Sequence, residues 1–265
     1  MVYIHFDMKR RDFTTAAGAM LAAPLAAQPT ESRAIIEIRW IQMRTTQENQ
    51  MQRTSDYLEK GAMPSLQRAG AGPQGFFGPV IGPESPFILT VAQFPSVAAW
   101  ETMRAKQSQD AEYRKAREAY NSASGRSYER LEVALLRCFS TVPSIEVPPA
   151  SSAGGRVFEL RQYESPNGST LERKVRMFNE GEIAIFRRVG MRPIFFGEMI
   201  AGTKMPNLVY MLAFDSMAAR ESAWAAFGSD PAWKELRSKP ANSDAEIVSN
   251  ITNSILRPLS FSTIR

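Results

Sequence analysis

Apolar and polar residues alternate with two different periods along the chain, and the order of these periods occurs twice. Short, mainly apolar stretches at residues 34–43 and 157–163 predict β-strands. Longer stretches with helical spacing follow them, at residues 47–69 and 171–189, and predict amphipathic helices. Each half of the chain therefore begins with a strand that is followed by a helix.

The two halves keep one register over a long distance. Gly70 and Gly190, placed to end the two helices in a left-handed C-cap, lie 120 residues apart, and so do Ser96 and Ser216, placed as N-caps of a second helix. Further pairs with this offset are Asp110 with Asp230, Leu136 with Leu256, and Arg137 with Arg257. A repeat of this length indicates a duplicated domain.

Each copy predicts the order strand, helix, strand, strand, helix, strand. The second strands start near Gln74 and Ile194, and the third strands cover residues 87–94 and 207–214. This order is that of a ferredoxin-like βαββαβ unit, so the predicted fold class is α+β. Such a unit leaves one sheet face bare, and two copies in one chain can bury those faces against each other in a barrel-like pair that replaces a homodimer.

The predicted domain organisation has four parts. A leader covers residues 1–27, the first repeat covers 34–140, a linker rich in Pro, Ser and Gly covers 141–155, and the second repeat covers 156–265. The outer helices of such a pair have no predicted partner, so formation of a homo-oligomer through these helices stays open.

The leader predicts export. Arg10 and Arg11 precede Phe13 and an alanine-rich apolar run that ends at Ala27, a pattern typical of a twin-arginine signal. Leu25 stands where a small residue is preferred before cleavage, so an uncleaved form that is tethered to the membrane by this segment is an alternative. An ordinary N-terminal amphipathic helix is another. The predicted location is periplasmic, or otherwise outside the cytoplasm by the twin-arginine route.

Three sequence segments resemble the NIPSNAP family of tandem dimeric α/β-barrel domains. They are Ile36-Glu-Ile-Arg-Trp40, Phe158-Glu-Leu-Arg-Gln-Tyr163 and Leu256-Arg-Pro-Leu-Ser-Phe-Ser262. The resemblance implies an intramolecular dimeric α/β barrel and little biochemistry, because the family has no generally established activity. Trp40-Ile41 in the first copy stands where the second has Gln162-Tyr163, so we expect any site to be asymmetric.

Composition excludes several classes of function. The formal net charge is +5, with basic residues interleaved with acidic ones, which does not indicate nucleic-acid binding. The single histidine, His5, lies in the leader, so the mature chain has none for a serine or cysteine nucleophile, a histidine-bound zinc or a proximal haem ligand. No glycine-rich phosphate loop follows a strand, and Cys138 is alone. We therefore expect neither a cofactor nor a metal.

Polar residues on the first strand of each copy are the candidate site. Strand alternation puts Glu37 with Arg39 on one face, and Glu159 with Arg161 and Tyr163 on the equivalent face. We expect these faces, with Tyr210 from a neighbouring strand, to line a cavity between the two copies that binds an anionic or carbonyl-bearing small molecule. The alternative is that both Glu-Arg pairs only neutralise each other and fix how the sheets meet.

Three functions from different classes stay open. The first is small-molecule binding between the copies, and the second is a cofactor-independent monooxygenase or isomerase in which an arginine stabilises an oxyanion. The third is a protein-interaction module without a ligand site. A raised pKa on a first-strand carboxylate would favour the enzyme, and a cavity filled by its own aromatic side chains would favour the module.

Overall fold

A computed structural model describes residues 32–265 except 46, 48 and 151–154. The predicted leader, residues 1–27, and residues 151–154 of the predicted linker lie outside this range. The first half contains four strands and the second half four more, in the predicted positions. They are β1 (Ile35–Gln42), β2 (Gln74–Ile81), β3 (Phe87–Phe94), β4 (Arg130–Cys138), β5 (Val157–Glu164), β6 (Arg192–Ala201), β7 (Asn207–Phe214) and β8 (Asn250–Pro258).

The eight strands close into one barrel in the order β1-β3-β2-β8-β5-β7-β6-β4. Every neighbouring pair is antiparallel, including the two junctions between the halves, β2 with β8 and β4 with β6. β1 and β5 are four places apart in this ring, so they run in the same direction. The predicted α+β fold, with two ferredoxin-like repeats in an intramolecular α/β barrel, is confirmed.

Helices cover the outer face of each half. Ser96 and Ser216 accept hydrogen bonds from the backbone N–H groups of Ala99 and Ala219, as N-caps of the predicted second helices. Gly70 and Gly190 have positive φ at the ends of the predicted first helices. The helices are α1 (Gln50–Tyr57), α2 (Met63–Arg68), α3 (Val97–Gln109), α4 (Ala111–Ser122), α5 (Gly168–Met177), α6 (Ile183–Arg188), α7 (Met217–Ser229), α8 (Pro231–Ser238) and α9 (Asp244–Ile247).

A π-helical turn interrupts the first helix of each half at the same place. Leu58–Ala62 joins α1 to α2, and Phe178–Glu182 joins α5 to α6. Gly61 lies in the first of these turns, where a Cβ atom would come within 2.6 Å of the Cβ of Ala116 on α4. The glycine thus allows two helices to approach closely beside the outer face of the sheet.

The barrel interior is an apolar core shared by both halves. Ile36, Ile38 and Phe77 from the first half meet Phe158 and Phe195 from the second half, and all five are buried. Ile145, after β4, and Ile264, near the C-terminus, belong to the same cluster. The barrel is therefore packed with side chains along most of its length.

No helix in the described part of the chain is long and apolar enough to cross a membrane.

Candidate functional site

Glu37 and Arg39 project from β1 toward the helices, not into the barrel. The indole Nε1 of Trp100 donates to Glu37 Oε2 at 2.6 Å, and Arg104 Nε donates to the same oxygen at 3.1 Å. Both donors lie on α3. The expectation that the polar face of β1 lines a cavity between the copies is therefore wrong. The apolar positions Ile36 and Ile38 face the barrel, where they belong to the core that both halves share.

The equivalent carboxylate in the second half has the same surroundings. Glu159 receives hydrogen bonds from Arg220 Nε at 2.7 Å, from Trp224 Nε1 at 2.8 Å and from Arg161 at 2.9 Å. Asn253 from β8 adds a fourth donor at 2.8 Å. Glu159 is fully buried, and its charge is balanced by two guanidinium groups.

The six predicted residues do not form one pocket. Four of them meet in the second half, where Arg161 donates to the Tyr163 hydroxyl at 3.2 Å and the hydroxyls of Tyr163 and Tyr210 lie 3.1 Å apart. Glu37 and Arg39 lie in the first half, between the sheet and the helices of that half. Open space between the halves remains at one end of the barrel, and none of the six predicted residues lines it.

In the second half, aromatic side chains fill the layer between sheet and helices. The rings of Phe196 and Tyr210 stack with centroids 4.8 Å apart, and Phe178 packs against both. Further aromatic residues in this cluster are Tyr163, Phe186, Trp224, Phe227 and Trp233. The predicted residues of this half thus belong to a packed aromatic layer.

The first half has a cavity of about 250 Å³ in the equivalent layer. Smaller residues stand where the second half has large aromatic ones: Thr90 pairs with Arg39 in the sheet as Tyr210 pairs with Arg161. The same comparison sets Ile41 against Tyr163 and Leu58 against Phe178. The polar lining residues are Arg39, Thr54, Tyr57, Gln74, Thr90, Arg104, Gln107, Tyr113, Arg117, Tyr120, Asn121 and Tyr128.

Positive charge exceeds negative charge around this cavity. Arg39 and Arg104 both contact Glu37, which is 1% exposed, and Arg117 also lines the cavity. Burial alone would raise the pKa of Glu37, but the hydrogen bond and charge of Arg39 and the charge of Arg104 outweigh it and lower this pKa. Burial and the neighbouring Arg39 charge lower the pKa of Arg104. Two guanidinium groups, which repel each other, thus share one carboxylate.

Three tyrosines, Tyr57, Tyr113 and Tyr120, also line the cavity. Tyr57 donates to the Tyr113 hydroxyl at 3.1 Å, and its ring stacks on Tyr120 with centroids 4.4 Å apart. The Tyr120 hydroxyl is 2.7 Å from Thr54 Oγ1. Burial, and then the hydrogen bond to Tyr113, raise the pKa of Tyr57, so this phenol is protonated at neutral pH.

The described residues include no group of three His, Cys, Asp or Glu side chains that could hold a metal ion. Cys138 is fully buried in the barrel core, and burial raises the pKa of its thiol to about 12. The thiol is therefore protonated and shielded, and no step of thiol chemistry follows from it.

A known protein family matches the second half of the chain. Residues 158–263 match the NIPSNAP family model. This NIPSNAP match covers the filled second half, and the cavity lies in the first half. No curated protein matches the chain.

Solved structures share the whole fold. A candidate monooxygenase from Lactobacillus acidophilus NCFM has a TM-score of 0.58 and 13% identity, covering 85% of this chain and 94% of its own. A candidate monooxygenase from Fusobacterium nucleatum has a TM-score of 0.57 and 7% identity, covering 87% and 94%. At these identities the likeness shows the fold alone.

A third structure is similar to part of the chain. It is a NIPSNAP-like domain protein from Burkholderia xenovorans, 28% identical over 40% of this chain and 88% of its own, with a TM-score of 0.36.

Four residues of the site, Trp100, Arg104, Tyr57 and Tyr113, were not predicted from the sequence. Trp100 and Arg104 are spaced i and i+4 on α3, so both reach the same carboxylate. The 120-residue offset places Trp100 opposite Arg220. An indole is thus exchanged for a guanidinium within a run that is otherwise similar in the two halves. That exchange was the available signal. Tyr57 and Tyr113 stand opposite Met177 and Trp233 at the same offset, but the sequence does not show that these two tyrosines meet in the folded chain.

Proposed function

We propose that this NIPSNAP-like protein is exported by the twin-arginine route and binds a small organic anion in the cavity of its first half. A ligand with an aromatic or apolar body and a carboxylate or enolate oxygen fits the lining best. The observation that supports this most is the pair of guanidinium groups, Arg39 and Arg104, that share the single carboxylate of Glu37 beside an open cavity.

A bound anion would supply the negative charge that the cavity lacks. Arg39 is 28% exposed and Arg104 is 21% exposed as side chains, so both side chains keep accessible surface while they bind Glu37. An anion beside them would relieve their repulsion, and charge-assisted hydrogen bonds in a partly buried site are stronger than those between neutral groups. The apolar lining residues Ile41, Leu58 and Phe76 would contact the ligand body.

The contrast between the halves supports a binding function over a purely structural one. A layer that is needed only for packing is filled, as in the second half, because a cavity between sheet and helices reduces stability. The first half keeps the cavity at equivalent positions, with Thr90 where Tyr210 stands. The Glu-Arg pairs have a structural role in both halves, and only the first half adds open space to it.

Binding is tested by titrating the mature protein with benzoate and measuring heat or ligand NMR signals. Thr90→Tyr places in the cavity the side chain that the second half has there, and we expect it to abolish benzoate binding. Thr90→Val keeps the cavity volume and is the matched control, with binding kept within a few-fold. Equal binding by Thr90→Tyr and by the unchanged protein would place the anion elsewhere.

Arg39→Gln and Arg161→Gln form a second matched pair, because these arginines are equivalent in the two halves. We expect the first change to weaken benzoate binding at least tenfold, which corresponds to about 1.4 kcal/mol. The second change should leave binding unaltered, provided that the variant is folded.

Export is tested by cell fractionation. The proposal predicts that the unchanged chain is found in the periplasmic fraction, and that replacing Arg10 and Arg11 together by lysine keeps it in the cytoplasm. Periplasmic recovery of that variant would contradict the twin-arginine route.

A second candidate function, a cofactor-independent oxygenase or isomerase, is favoured by one observation. The cation of Arg39 and the hydroxyl groups of Tyr57 and Tyr113 line one cavity, so a group that stabilises an oxyanion shares the cavity with groups that can donate hydrogen bonds. Neither Glu37 nor Glu159 is suited to act as a base, because their pKa values are lowered. Oxygen consumption with an anthrone or phenolic substrate, lost in Tyr57→Phe, would support this candidate over binding alone.

A further inference from the structure

One end of the barrel is open and forms a second cavity, of about 370 Å³, between the two halves. β1 and β5 run in the same direction, so Trp40 and Gln162, which are equivalent in the two repeats, both lie at this end. Ile145 donates its backbone N–H to the side chain of Gln93, which pairs with Ile36 near the start of β1, so Ile145 lies toward the opposite end. The cavity thus has an apolar base inside the barrel and opens on one side.

Two buried polar side chains face this cavity without a protein partner. Gln162 is 9% exposed and Ser254 is 7% exposed, and both line the cavity. Neither side chain makes a hydrogen bond to another group in the described part of the chain. Buried amides and hydroxyls are nearly always hydrogen-bonded, because leaving them unpaired costs free energy. Both residues line the cavity, so a molecule bound there can supply this partner.

The other lining residues define what such a molecule looks like. Trp40, Phe87, Leu160 and Met199 give an apolar and aromatic surface. The charged residues at the rim are balanced, two acidic and two basic: Glu84, Glu132, Arg130 and Lys204. Arg130 lies 3.9 Å from Glu84 and 3.6 Å from Glu132, so it already forms ion pairs with acidic neighbours. This cavity differs from that of the first half, where positive charge is in excess.

We propose that the barrel-end cavity is a second binding site, specific for a neutral, planar small molecule with an amide-like hydrogen-bonding edge. The edge pairs with the Gln162 amide and the Ser254 hydroxyl, and the ring packs against Trp40 and Leu160. An amide side chain both donates and accepts, so it recognises a neutral edge of the same kind better than a carboxylate.

The test uses benzamide and benzoate, which have nearly the same shape and differ in charge. In a two-dimensional NMR titration of the mature protein, we expect benzamide to shift the side-chain signals of Gln162 and the indole N–H of Trp40. Gln162→Leu, similar in size and apolar, should weaken benzamide binding about tenfold or more, and Ser254→Phe should abolish it by filling the cavity. Both variants should keep benzoate binding.

Thr90→Tyr is the matched control, because it fills the other cavity. Benzamide binding that survives Thr90→Tyr and is lost in Gln162→Leu supports the second site, whether or not benzoate binds. Benzamide binding that is lost in Thr90→Tyr, or that survives both Gln162→Leu and Ser254→Phe, would overturn the proposal. Absence of any benzamide shift at Gln162 and Trp40 at millimolar concentration would overturn it as well.

Discussion

Trp100 and Arg220 occupy equivalent positions in the two repeats, yet their side chains serve equivalent carboxylates with different groups. Trp100 donates an indole N–H to Glu37, whereas Arg220 donates a guanidinium pair to Glu159. One helical turn later the order is reversed, and each carboxylate is bound by an indole and by a helix arginine as well as by its own strand arginine. The reversed pair is Arg104 in the first half and Trp224 in the second.

This reversal predicts that the order of the two donors matters little to the stability of the carboxylate, whereas their presence matters much. Arg104→Trp alone removes a charge partner from a buried carboxylate and should cost about 2–4 kcal/mol of unfolding free energy. The double change Trp100→Arg with Arg104→Trp recreates the order of the second half and should recover at least half of that loss. Urea unfolding of the two variants and the unchanged protein checks this, and a double variant that is as unstable as Arg104→Trp would show that order does matter.

Thr90 and Tyr210 are equivalent residues of different size, so exchanging each for the other should change the stability of the protein by different amounts. Tyr210→Thr removes a fully buried ring that stacks on Phe196, and should destabilise the protein by about 3–5 kcal/mol. Thr90→Tyr adds a ring beside Phe76 in existing open space, and should change stability by less than about 1.5 kcal/mol in either direction. Equal destabilisation by the two exchanges, measured by thermal unfolding, would mean that the first-half cavity does not accept a ring.

The carboxylates of Glu37 and Glu159 predict a loss of stability in acid. Their pKa values in the folded protein lie below the ordinary value of 4.5, because hydrogen bonds and charges from arginines outweigh burial. The unfolded chain therefore binds protons first as the pH falls, and this contribution to stability, complete above about pH 5.5, is lost below the ordinary pKa.

Unfolding free energies measured from pH 7 to pH 3 check this pH dependence. Glu37→Gln is less stable at pH 7, and its stability should fall less steeply with acid than that of the unchanged protein. Glu221→Gln, at an exposed helix position, is the matched control and should keep the original slope. Identical slopes for Glu37→Gln and the unchanged protein would contradict the predicted pKa direction.

A buried ion pair in the second half has no equivalent in the first. Lys174 Nζ lies 3.2 Å from Glu182 Oε2, with both side chains at most 3% exposed, where the first half has Thr54 and Ala62. Lys174→Met leaves Glu182 buried without its cation and should cost about 3–5 kcal/mol. The double change Lys174→Met with Glu182→Leu should recover most of this. A double variant that is less stable than Lys174→Met would show that the pair itself stabilises the fold.

The sequence predicted the fold well because the signals it needed are local or repeated. The common offset of Gly70 with Gly190 and of Ser96 with Ser216 located the helices in both halves, and strand alternation correctly grouped Glu37 with Arg39. Alternation sorts residues into two faces and does not say which face meets which partner. The burial of the shared barrel interior decides that, and it is a property of the two joined sheets.

The candidate site was predicted only in part, because it depends on differences in volume between the copies. Arg39 was predicted, but Thr90 was not. Its role follows only from the structure, where Thr90 pairs with Phe76 as Tyr210 pairs with Phe196. Tyr57 and Tyr113 come from two helices that meet only in the folded chain. Side-chain size at equivalent positions was present in the sequence, and its meaning required the register between strands and helices.

Native mass spectrometry of the protein isolated from its own cells, without overexpression in another host, tests the central claim most directly. We predict an adduct mass, above that of the chain, that disappears on denaturation and belongs to an organic anion. It should be absent from Thr90→Tyr isolated in the same way. The same adduct should persist in Gln162→Leu. A bare chain under all growth conditions, or an adduct that Thr90→Tyr retains, would contradict ligand binding in the first-half cavity.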